Sequence, residues 1–88
     1  MKVYIKNEIY TNRNPNIIED FLKEHYSDYK KECGMYVVKM EQIFELCVLI
    51  KDLINYMVLP NIYLFVTPIE NVLIVTFRQI NRDTMCFK

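Results

Sequence analysis

The order of apolar periodicities predicts an α+β domain with the order β-α-β-α-β-β, in which a mixed or antiparallel sheet of about four strands carries two helices on one face. Three observations predict it. Two segments repeat their apolar residues at helical spacing, short runs rich in β-branched and aromatic residues surround them, and Gly and Pro fall between the runs. With 88 residues the chain has room for one domain and one shared core, so 1–88 is read as a single unit with a ragged end at 81–88.

Lys2-Val3-Tyr4-Ile5-Lys6 alternates polar and apolar residues and reads as a half-buried strand with Val3 and Ile5 inward. Thr11 to Pro15 is a loop by composition and ends in a helix start: Asn14 is suited to cap and Pro15 to the first helical position, with Asn16 as the competing cap. Ile18, Phe21, Leu22, His25, Tyr26 and Tyr29 then recur on one face, predicting a helix from about Pro15 to Lys31 that ends on two lysines. Gly34, the only glycine, marks the break after it.

Met35 to Met40 reads as a short strand, and Glu41 opens a second helix that Pro60-Asn61 ends. Its stripe is Ile43, Leu46, Cys47, Ile50, Leu53, Ile54 and Met57. Two strands follow, Ile62 to Thr67 and Val72 to Ile80, joined by the turn Pro68-Ile69-Glu70-Asn71. Their near-continuous apolar runs suit strands covered on both faces, or on one face by a partner.

Composition narrows function mainly by exclusion. Eleven basic and eleven acidic residues are interspersed, so the chain has neither the basic patch of a nucleic-acid binder nor the acidic excess of a DNA mimic. Three cysteines without close spacing and one histidine supply no ligand pattern, so no metal and no cofactor is expected. Cys47, inside an apolar segment, reads as a small buried hydrophobe. His25 lies on the stripe of the first helix and reads as a half-buried packing residue rather than the base of a Cys–His pair. Glu19-Asp20 and Glu41, Glu45 and Asp52 read as dipole and solvated-face carboxylates, and a single glycine builds no phosphate cradle. No catalytic residue is expected, and the chain is read as no enzyme. The most apolar stretch, Ile43 to Val66, is broken by Glu45, Lys51, Asp52 and Pro60, and the start of the chain lacks the pattern of a secretory signal; a cytoplasmic location without membrane contact is expected.

Two surfaces stand out. With the second helix oriented on its stripe, Phe44 and Val48 fall on the far side as i, i+4 neighbours, flanked by Lys51 and Asn55. On the sheet, residues alternating with Val3 and Ile5 point away from the helices: Lys2, Tyr4 and Lys6, joined according to register by Tyr36, Lys39, Tyr63, Phe65 and Arg78. Surplus apolar and aromatic surface predicts a partner-binding role for Phe44, Val48, Tyr4, Tyr36 and Tyr63, with a host protein, a protein–nucleic acid complex or a second copy as partner. The competing reading is a nucleic-acid-binding regulator that uses Lys2, Lys6, Lys39 and Arg78 beside the aromatics.

Half of the chain is Phe, Tyr, Met, Ile, Asn and Lys, whereas Gly, Ala, Arg and Pro supply seven residues, a bias that (Met excepted) follows AT-rich codons and points to an AT-rich genome: a low-GC bacterium, its phage or a large DNA virus. The segment Tyr36-Val-Val-Lys-Met40, then Glu41-Gln-Ile-Phe-Glu-Leu-Cys-Val-Leu-Ile-Lys-Asp-Leu53, followed by a strand pair, resembles small phage-encoded proteins of the anti-CRISPR type. The resemblance lies in the pattern of elements over about half of the chain. It implies a cytoplasmic inhibitor that binds a host defence effector and blocks it stoichiometrically. Without acidic bias, it implies blocking of a protein surface rather than DNA mimicry.

Overall fold

A computed structural model describes residues 1–9, 16–58 and 61–79. The α+β class and the two helices on one sheet face are as expected, and the sheet has five strands in the order β-α-β-β-α-β-β. The elements are β1 (Lys2–Glu8), α1 (Ile17–His25), β2 (Lys30–Glu32), β3 (Met35–Lys39), α2 (Ile43–Met57), β4 (Ile62–Ile69) and β5 (Val72–Gln79). Across the sheet they run β2-β3-β1-β5-β4. β1 lies at the centre, antiparallel to β3 and parallel to β5, while the outer pairs are antiparallel hairpins.

The extra strand comes from the end of the predicted first helix. α1 stops at His25 with Tyr26 as C-cap, so Lys30 and Lys31 do not sit in a helical turn but pair with Val37 and Tyr36. Cys33 and Gly34 form the two-residue loop of this hairpin, both at positive φ (51° and 75°), the requirement of a type I′ turn. Gly34 is therefore a hairpin residue rather than a helix terminator. At the N-terminal end Asn16 is the N-cap; the Asn14-Pro15 start and the preceding loop lie outside the described residues, as do Pro60 and the tail 81–88.

α2 begins two residues later than expected. Glu45 folds back to accept the backbone N–H groups of Glu41 and Gln42, both at 3.1 Å, half of a capping box rather than a merely solvated carboxylate. Its C-cap Val58 is left-handed (φ 50°, ψ 42°) and donates its N–H to the carbonyl of Ile54. The β4–β5 turn is tighter than the four-residue connection expected: Ile69 pairs directly with Val72, and Glu70-Asn71 alone make the loop.

The core lies between the sheet and the helices. Val3, Ile5, Val38, Val75 and Phe77 from the sheet meet Ile18, Phe21 and Leu22 of α1 and Leu46, Leu49, Leu53 and Met57 of α2. Burial of each such side chain contributes roughly 1.5–3 kcal/mol. The inward face of α2 is thus centred on Leu49 and Leu53, rotated from the stripe read in the sequence: Ile43, Cys47 and Ile54 are exposed, not buried. The rotation follows from α1, whose Phe21 ring meets Tyr56 at 5.4 Å and occupies the flank opposite the three. The exposed Cys47 corrects the expectation of a buried thiol.

Candidate interaction surface

The outward side of α2 is more apolar than the sequence suggested. Phe44 is 68% exposed, and Val48, one turn on, is also open, as the helical spacing predicts. Ile43 (59% exposed) and Ile54 extend this surface along the flank of α2 away from α1. Lys51 and Asn55 lie among these residues and are exposed as well. Phe44 is the most open of these side chains, while Val48 and Ile54 are each about a third exposed.

The sheet face away from the helices is the second surface. Register settles which side chains share it. Val3 and Ile5 are fully buried toward the helices, so Lys2, Tyr4, Lys6 and Glu8 point the other way. Their neighbours on the same side are Val37 and Lys39 of β3, Ile74, Thr76 and Arg78 of β5, and Tyr63, Phe65 and Thr67 of β4. Tyr4, Tyr63, Lys2, Lys6, Lys39 and Arg78 are thus brought to one face, as expected. Tyr36 is not. It pairs with the buried Ile5, so its ring points to the helix side, where it meets Tyr29 edge-on at 6.0 Å and packs against the core. Burial is the largest influence pushing its hydroxyl pKa up, and Tyr36 leaves the set of outward contact residues.

The cations of this face are not equivalent. Arg78 donates from Nε and an Nη to one carboxylate oxygen of Glu8, at 2.8 and 2.6 Å, and Lys6 Nζ lies 3.1 Å from the other. Arg78 first, then Lys6, holds the Glu8 carboxyl below the usual range. Arg78 also lies over the Phe65 ring, 5.1 Å from its centre. At the opposite end Lys2 faces Lys39 across the β1–β3 ladder, and with Lys30, Asp28 and Glu32 they rim a depression floored by Val37. Glu32 also accepts a long hydrogen bond from the Tyr4 hydroxyl at 3.5 Å. Positive and negative groups alternate across this face, so it carries no single-sign field.

His25 is exposed rather than half-buried: its ring leans on Phe21, 4.7 Å between centres, at the solvent end of α1, and its nearest carboxylate is Glu24 at 3.9 Å. Among the described residues no three His, Cys, Asp or Glu side chains gather closely enough to hold a metal ion, and no helix is long and apolar enough to cross a membrane. Strand β4 is the feature that sequence reading undervalued. Leu64, Phe65, Val66 and Ile69 are exposed beside Tyr63, on both faces of one strand. The available signal was the absence of any charged residue from Ile62 to Ile69. Comparisons with protein-family models, curated proteins and solved structures return no match to this chain.

Proposed function

We propose that this protein is a non-enzymatic inhibitor that occupies a protein surface through the outward face of α2, as the resemblance to small phage-encoded anti-CRISPR proteins implies for a host defence effector. The observation that carries the reading is the exposure of Phe44, Ile43, Val48 and Ile54 on one well-formed helix. An aromatic anchor with aliphatic neighbours, interspersed with polar groups such as Lys51 and Asn55, has the composition of a protein-binding surface.

The test is titration of purified protein into CRISPR nuclease complexes while DNA cleavage is followed. Cleavage is expected to fall to zero near one protein per target complex. The double substitution Phe44→Glu with Val48→Lys is expected to weaken binding by ~2 kcal/mol or more, about 30-fold, with an unchanged circular dichroism spectrum. Equal potency of the double variant removes α2 as the contact, and no effect on any effector removes the inhibitor reading.

A second reading is supported by the gathering of Lys2, Lys6, Lys39 and Arg78 with Tyr4 on one sheet face. It proposes a nucleic-acid-binding regulator. The pairing of Lys6 and Arg78 with Glu8 weighs against it. A mobility shift with oligonucleotides that disappears as salt rises is its expected signature; no shift at low salt removes it.

A further inference from the structure

The two edges of the sheet differ in kind. β2, at one edge, is three residues long and entirely charged, Lys30-Lys31-Glu32, which is how proteins commonly block edge-to-edge pairing. β4, at the other edge, is eight residues long, Ile62-Tyr-Leu-Phe-Val-Thr-Pro-Ile69, without a charge. Its large side chains are exposed on both faces: Leu64 and Val66 on the helix side, beside Phe77 and Val75, and Tyr63, Phe65 and Ile69 on the other. A long, uncharged edge with two apolar faces is a template for another strand.

The hairpin geometry says which backbone groups that strand would meet. A two-residue loop closes on a hydrogen-bonded pair, here Ile69 and Val72, so odd-numbered residues of β4 exchange hydrogen bonds with β5. Ile62, Leu64, Val66 and Pro68 therefore turn their backbone polar groups outward. Pro68, which has no N–H, occupies one of these outward positions, where β5 loses nothing.

We infer that β4 pairs antiparallel with β4 of a second copy, about a two-fold axis through Phe65 and normal to the sheet, making one continuous sheet across a homodimer. A second copy presents the same uncharged eight-residue edge, so two apolar strands meet without burying a charge. This register keeps side-chain parity, so each face meets its like: Phe65 meets Phe65 of the second copy, Tyr63 meets Thr67, and on the helix side Leu64 meets Val66. The outward groups of Leu64 and Val66 satisfy those of Val66 and Leu64 opposite, while Pro68 falls against Ile62 at each end, where its missing N–H costs one bond at the margin. No like charges are brought together along the strand. This contact goes beyond the proposed use of α2.

Mass in solution and site-directed cross-linking test it. Light scattering is expected to give twice the 10.7 kDa chain mass. Leu64→Lys with Val66→Lys, both at exposed positions, is expected to give the single-chain mass with an unchanged circular dichroism spectrum. With Cys33, Cys47 and Cys86 replaced by Ser, Phe65→Cys is expected to cross-link readily, because the central non-hydrogen-bonded pair places its Cα atoms ~4.5 Å apart. Tyr63→Cys, whose copies stand about four residues out of register, roughly 13 Å apart, is expected to stay uncross-linked. A single-chain mass for the unaltered protein at its highest soluble concentration overturns the inference, as does a dimer that survives the two lysines or cross-links more readily at residue 63. A dimer dissolved by Phe44→Glu with Val48→Lys instead places the contact on α2 and also overturns it. Loss of effector inhibition with the β4 dimer intact counts only against the proposed role of α2.

Discussion

Tyr29 donates its hydroxyl proton to Glu19 at 2.6 Å, and Lys31 closes on the same carboxylate oxygen at 3.0 Å. This ties the first turn of α1 to the residues leading into β2. Tyr29 first, and Lys31 after it, holds the Glu19 carboxyl below its ordinary range, and the same carboxylate pushes the Tyr29 hydroxyl up to about 12. The raised Tyr29 value means that its contribution to stability is complete below the unfolded pKa near 10 and is lost as pH rises through the folded one. The lowered Glu19 value works in the opposite direction: its contribution is present above the unfolded carboxyl pKa and is lost as pH falls through the folded one. Denaturant titrations from pH 8 to about 12 are expected to show a steeper stability loss for the unaltered protein than for Tyr29→Phe. Equal slopes would mean that the hydrogen bond does not persist in solution. Because burial also raises the hydroxyl pKa values of Tyr26 and Tyr36, the difference between the two proteins is the informative quantity. At this scale the sequence was least legible: His25 and Tyr36 each suit a core or a surface site, and for Tyr36 it is pairing with the distant Ile5 that decides the side.

Among the elements, α2 is the most readable and the most instructive. Its length and amphipathic character follow from local spacing, and the exposure of Phe44 and Val48 follows from the same spacing. Its seven-residue stripe was wide enough to permit more than one rotation, and contact with α1 and the sheet selected Leu46, Leu49 and Leu53 over Ile43 and Ile54. The end of α2 stores a local cost. Val58, β-branched and 81% exposed, holds a left-handed conformation at φ 50° that L-residues with branched Cβ atoms rarely adopt. Val58→Gly is expected to raise unfolding stability by about 1 kcal/mol, read as a higher denaturant midpoint with an unchanged slope. A lower midpoint would mean that the valine side chain makes contacts that outweigh its backbone strain.

Across the whole molecule, one core joins the sheet to both helices, and among the described residues Ile43, Phe44, Phe65 and Ile69 are left outside it. Leu49 is fully buried between α2 and the sheet, so Leu49→Ala is expected to destabilise by ~2–5 kcal/mol. That is a large share of the ~5–15 kcal/mol typical of a domain. Phe44→Ala, on the same helix but facing solvent, is expected to stay within ~0.5 kcal/mol of the unaltered protein in thermal or denaturant unfolding. A large loss from Phe44→Ala would assign it to the core rather than to the interaction surface. The contrast separates residues that keep the fold from those available to a partner.

The kinds of element, their order apart from one short strand, the inward side of β1 and the outward position of Phe44 and Val48 were all determined by the sequence itself. They depend on the 3.6- and two-residue periods, which belong to covalent geometry and act over a few residues. Only the tertiary structure decided that Lys30–Glu32 pairs as a strand, that Tyr36 faces the helices, and that uncharged β4 is left at an edge. The first is a pairing across the two-residue Cys33-Gly34 loop, whereas the other two depend on pairing between distant segments, such as Lys2 with Val72 in the parallel β1–β5 ladder. Local spacing says which side chains share a face of a strand. It does not say which strand lies beside it, and for this protein that neighbour relation exposes the surfaces on which its function is proposed to depend.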